Sequence, residues 1–221
     1  DLGLGRAPGA DQRTTIALRR NHTSSDTFPQ DVLELQRYFE PAIDKQAVQA
    51  VPGAGLKVPI WILGSSLFGA QLAAELGLPY AFASHFAPAA LAPALDEYRR
   101  RFKPSSQLDR PYCAAGVNVF VADTDADAKR LFTSAQQQFT NMLRDKRGKL
   151  PPPIEDIDAY WNPMEKAQAS SMLSRSFVGS PETVKIALLN FIAETSVDEL
   201  IVVSAIYEHS ARLHSYKLLA A

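Results

Sequence analysis

Three features of this 221-residue chain predict an α/β fold of parallel β/α units. Short apolar segments alternate with helical patterns along most of its length, the mark of parallel strands joined by crossover helices. The segment Val58–Ser84 carries one complete unit: an apolar strand, the turn Gly64-Ser65-Ser66, an alanine-rich helix, then Gly77-Leu78-Pro79 leading into a second strand. A hydrophobic content of 46% is enough for a substantial core, and a net charge of −1 gives no electrostatic reason to expect nucleic acid or an anionic membrane as partner.

The elements follow in order. Leu2–Gly5 reads as the first strand, running into a polar loop over 6–25. Val32, Leu35 and Phe39 share one face of a helix over 28–39. After an aperiodic connection over 40–57, strands are expected at 59–63 and 80–84, with the alanine-rich helix between them. Leu91, Leu95, Tyr98 and Phe102 mark a third helix, ended by Pro104. Cys113–Val121 is the fourth strand, and Asp123-Thr124-Asp125 caps a helix from 126 to about 143. Residues 146–175, with three consecutive prolines and Trp161-Asn162-Pro163, break the pattern as a long insertion. Ser180-Pro181 then opens a helix over 182–194, followed by a fifth strand at 199–203 and a last helix over 208–219. Five strands do not close an eight-stranded barrel, and the chain opens inside a strand, so further units are expected upstream.

The chemistry is concentrated at strand ends. Gly64, Ser65 and Ser66, with the amides of Leu67 and Phe68, place free N–H groups and two hydroxyls at a helix start, a natural phosphate site. Ordinary capping by one serine is the alternative. Arg6 follows the first strand and can clamp a phosphate with two parallel hydrogen bonds, or pair with Asp11 on the surface. His85 and Tyr207 follow the third and fifth strands and are candidates for lining an active site; His22 is weaker, and His209 and His214 are expected to face solvent. No metal is expected: Asp123, Asp125 and Asp127 resemble a calcium loop, but Ala128 and Ser134 stand where glycine and glutamate are needed. GLGRAPG lacks the helix that a dinucleotide fingerprint requires. The lone Cys113 and the lack of an apolar run of ~18–20 residues lead us to expect a reducing, cytoplasmic setting and no membrane span.

The run LGLGRAPGAD, joined to WILGSSLFGAQLAAELGLPYAFASHF and to FVGSPETV with DELIVVS, resembles the bacterial luciferase-like family. That resemblance implies a (β/α)8 TIM barrel of which this chain supplies about strands 4–8 as a single domain. It implies a flavin-dependent monooxygenase using FMN as FMNH2, with O2, on an aldehyde or other small organic substrate. Arg6 and the Gly64–Phe68 turn would then hold the flavin phosphate, and the insertion would serve either as a lid or as packing. NAD(P)H, a flavin reductase and a homodimeric partner are further implications. Two rivals stand beside it: an F420-dependent or non-catalytic relative on the same barrel, and an open-sheet domain that binds a phosphorylated metabolite.

Overall fold

The computed structural model describes residues 1–6, 12–19, 26–146 and 148–221. His22, Asp11 and Arg20 lie outside that set. The chain divides into two compact units, 1–81 with 93–112, and 82–92 with 113–221.

In the first unit, β1 (Leu2–Gly5) runs parallel to β2 (Ile60–Gly64), with Leu2 opposite Ile60 and Gly5 opposite Leu63. That register places Arg6 one step beyond the end of the pairing, level with the turn after β2. A short helix α1 (Gln12–Ala17) falls where the sequence reads as loop, and α2 (Phe28–Phe39) forms as expected, burying Val32. Helix α3 (Leu67–Leu76) buries Gly69, Ala70, Ala73 and Ala74, a face of small side chains that permits close packing on β2. Gly77 ends it in the left-handed conformation, the common helix stop. Strand β3 (Tyr80–Phe82) is two residues shorter than the apolar run indicated. Helix α4 (Leu91–Arg101) contributes Tyr98, whose hydroxyl donates to the Leu78 carbonyl at 2.9 Å and accepts from the Tyr112 amide at 3.1 Å.

The second unit is built on β4 (Cys113–Val121), buried along all nine residues. β4 pairs in parallel with β6 (Glu199–Val203) along Ala114–Asn118 and with β5 (Ser176–Gly179) along Asn118–Val121. Helices α5 (Asp125–Leu143), α7 (Pro181–Thr195) and α8 (His209–Ala220) pack on these strands. Phe120, Ala135 and Ile206 form a fully apolar cluster there.

Two elements correct the expected count of five strands and an irregular insertion. Strand β5 raises the count to six, and its four residues are too few, and too close to the insertion, to show an apolar run. Helix α6 (Pro163–Met172) lies inside the insertion, started by Asn162 at its N-cap, with Pro163 at its first position and Glu165 completing a reciprocal capping box. The helix start after β4 also differs in detail: the Thr124 hydroxyl, not an aspartate, accepts from Asp127 N at 3.1 Å. No helix among the described residues is long and apolar enough to cross a membrane.

Candidate functional site

The turn between β2 and α3 is shaped by Tyr80. Its phenol donates to the Ser66 carbonyl at 3.1 Å, and its ring fills the space beside two glycines. A Cβ on Gly64 would stand 3.3 Å from Tyr80 Oη, and one on Gly69 3.2 Å from Tyr80 Cε2. The absence of side chains at both places therefore lets the strand end, the helix and the aromatic ring approach one another. Burial pushes the Tyr80 phenol well above its ordinary pKa, so it stays a neutral donor.

Ser66 is the N-cap of α3, in an extended backbone conformation, yet its side chain makes no capping hydrogen bond. Ser65 is half-buried; Ser66 and Leu67 are exposed. Into this place comes Arg6, whose guanidinium carbon lies 4.0 Å from the centroid of the Phe68 ring. Phe68 is in the first turn of α3, so a cation stands beside amides that carry the positive end of the helix dipole. Two like-signed features are held together in this corner, with no acidic side chain paired to either among the described residues. Arg6, Gly64, Ser65, Ser66, Leu67 and Phe68 are thus brought together within one unit.

Three other helix starts are filled by their own residues, whereas α2 and α8, like α3, carry no side-chain cap. Thr124 caps α5 and Asn162 caps α6. Ser180 caps α7, and its amide donates to Asp125 Oδ1 at 2.6 Å, which holds the Asp125 carboxyl below the usual aspartate range. A Cβ on Gly179 would come within 2.8 Å of that same oxygen. The α7 start is therefore closed to an outside anion by the chain's own carboxylate.

In the second unit, His85 is half-buried after β3, and burial lowers its pKa. It rests against Gly116 of β4, a contact developed below. Tyr207, 48% exposed, follows β6. His214 is exposed, and its Nε2 lies 3.0 Å from Asp123 Oδ1 rather than only in solvent. His209 Nδ1 lies 3.0 Å from Arg212. Cys113 is buried in β4. Sequence reasoning missed Ser84, Gly116 and Asn118 as companions of His85. The one available signal was a glycine inside an apolar strand, which marks a close approach by another group.

The insertion is anchored rather than loose. Thr133 Oγ1 donates to Ile154 O (3.3 Å) and accepts from Ile154 N (2.9 Å), and Gln137 donates to Pro152 O (2.9 Å). Tyr160 donates to Asn141 Oδ1 at 2.6 Å, and Arg144 pairs with both Glu165 oxygens at 2.7 and 2.8 Å.

The chain is thus built of parallel β/α units, with Arg6 set beside the start of α3 at a strand end. The family described as luciferase-like monooxygenase matches residues 26–199, and this chain belongs to it. It is similar to a luciferase-like monooxygenase of Escherichia coli strain K12, with 50% identity over 219 residues, 99% of this chain and 65% of the relative. The chain thus spans about two thirds of the length of that relative. The crystal structure of apo-MsnO8 superposes with a TM-score of 0.88 at 32% identity, over all of this chain and 67% of that one. The oxygenating constituent of 3,6-diketocamphane monooxygenase from Pseudomonas putida, solved in complex with FMN, gives a TM-score of 0.63 at 18% identity, over 98% of this chain and 68% of that one. That last likeness speaks to the fold.

Proposed function

We propose that this chain is the greater part of a flavin-dependent monooxygenase that binds FMN and acts with O2 on an aldehyde or other small organic molecule. The carrying observation is the Arg6 guanidinium stacked on Phe68 beside a helix start whose cap residue leaves its hydroxyl unused. A dianionic phosphate fits this corner: two N–H donors from Arg6, the hydroxyls of Ser65 and Ser66, and the first amides of α3 are the donor set it needs. Family membership supplies the rest of the reading. Reduced FMN, when bound, supplies the electrons for activating O2, and a flavin reductase is the natural source of them. The chain's own residues would bind the phosphate and hold the α3 turn through Tyr80. His85 and Tyr207 are its candidates for contact with the reacting molecules.

The barrel reading belongs to the same proposal. Five of the six strands would be strands 4–8 of a (β/α)8 barrel, with β5 an addition. Its support is the share of the relatives' length that this chain spans, together with exposed apolar side chains on β2 and β6: Leu63 is 41% exposed and Ile201 48%.

Titration with FMN and, in parallel, with F420 tests the cofactor. Saturable binding of FMN is expected, weakened by about one to two orders of magnitude in Arg6→Ala, since a hydrogen bond to a charged group contributes ~1.5–3 kcal/mol. Preference for F420 would move the protein to hydride-transfer chemistry. FMN affinity unchanged by Arg6→Ala would remove the phosphate site.

A further inference from the structure

His85 stands on a seat that β4 builds for it. A Cβ at Gly116 would lie 2.5 Å from His85 Nδ1 and 3.1 Å from Cε1, so the imidazole occupies the space that any other residue at 116 would fill. Ser84 Oγ donates to Gly116 O, and Asn118 Nδ2 donates to His85 O, both at 2.6 Å. The Phe86 ring meets the imidazole edge-on, with centroids 4.7 Å apart. Next along the chain, the Ala87 amide donates to the Ala83 carbonyl at 3.2 Å, and Pro88–Ala90 forms a single 3₁₀ turn against α6.

This seat accepts one protonation state. Imidazolium carries a proton on each ring nitrogen. Nδ1 is buried, has no hydrogen-bond partner, and is the ring atom turned most closely to Gly116. A proton there would be buried without an acceptor and pressed on the glycine backbone, whereas a bare Nδ1 fits. Surrounding charges do not offset this. β4, β5 and residues 83–92 carry no charged side chain, and Cys113, the one titratable group on β4, lies at its far end. On β6, Ile201 stands opposite Gly116 and Glu199 opposite Ala114. Arg175, just before β5, pairs with Glu194; on α6, Glu165 pairs with Arg144 and Lys166 with Asp158. Burial is accordingly the cause that lowers the His85 pKa.

We propose that His85 is an acid-operated latch: the neutral ring holds residues 84–92 on β4, and its protonation frees that segment at the C-terminal end of β3. A group whose pKa folding lowers contributes stability that is fully present above its unfolded value and is withdrawn as pH falls. The latch is therefore shut above about pH 6.5 and opens progressively below it. Opening breaks the Asn118–His85 hydrogen bond and carries away Phe86, already 45% exposed. Neither flavin nor substrate takes part, so the latch stands or falls apart from the monooxygenase reading.

Hydrogen–deuterium exchange at pH 8 and pH 5, corrected for intrinsic rates, tests it, alongside a ¹H NMR titration of the His85 Cε1 proton. In the parent, exchange over 84–92 should rise about tenfold at pH 5, with α7 changing less than about twofold. His85 should titrate below 6.5. His85→Asn, which sets an uncharged amide where Nδ1 stands, should exchange alike at both pH values. Gly116→Ala should reach at pH 8 the exchange that the parent reaches only at pH 5, because its methyl group denies the ring its seat. Parent exchange that ignores pH, a rise shared equally by α7, a pH response kept by His85→Asn, or a His85 titration at or above 6.5 overturns the proposal. If Gly116→Ala fails to fold, the parent and His85→Asn still decide it.

Discussion

Gly77 shows how much a single position can carry. Its φ of +62° is the left-handed conformation that L side chains rarely adopt, and a Cβ there would meet the Lys103 carbonyl at 2.5 Å. Gly77→Ala should therefore cost about 1–3 kcal/mol, from conformation and close approach together, and urea unfolding would register it as a lower midpoint. Gly77 was legible as a stop because a glycine closing an apolar helix has one common use. Gly64 was legible only as a place of close approach; the group that approaches, Tyr80, comes from another strand and carries no local signal. The corner itself followed from neighbouring residues in β2 and α3, whereas Arg6 joins it through the β1–β2 register, which short strands do not fix in a sequence.

Helix starts differ in whether a side chain of the chain itself fills them, and those of α2, α3 and α8 have no such cap. Helices α5, α6 and α7 satisfy their first amides with Thr124, Asn162 and Ser180, all readable as caps from residue type and spacing. Helix α6 was nonetheless passed over, because prolines and charges around it hid the Asn-Pro-x-Glu start. Its hold on α5 depends on Glu165, where the Arg144 guanidinium lowers the carboxyl to about 2. A carboxyl held low in the folded protein stabilises it fully above the ordinary glutamate range, and that contribution is withdrawn as pH falls from about 4.5 toward about 2. Arg144→Met should weaken this dependence, leaving the part due to the Asn162 amide, while lowering stability at neutral pH. Melting curves at pH 7 and pH 3 would show the gap between parent and variant narrowing in acid; an equal gap at both would refute the assignment.

At the scale of the whole molecule, the class of fold was clear from the alternation of strand and helix, and the family from three separated motifs. Bonding partners of the outermost strands were not, since a strand's sequence says little about which edge is paired. β1 pairs with β2, and β6 with β4. If these are strands of a barrel, each has an edge that needs another strand, and unpaired edges invite association between chains. The 221-residue chain should then self-associate and melt without a single sharp transition. Sedimentation and calorimetry decide this. A monomeric 221-residue chain with one cooperative transition would favour the open-sheet alternative.

Thr133, Gln137 and Arg144 take hold of the insertion at Pro152, Ile154 and Tyr160 through main-chain oxygens and one main-chain nitrogen. Every amino acid offers a carbonyl, and all but proline offer an N–H. At those three positions the main chain makes the hold, whereas Tyr160 also joins Asn141, and Glu165 joins Arg144, through their side chains. A change at Thr133, Gln137 or Arg144 would therefore loosen one of several separate anchors, whatever side chain the insertion carries opposite it.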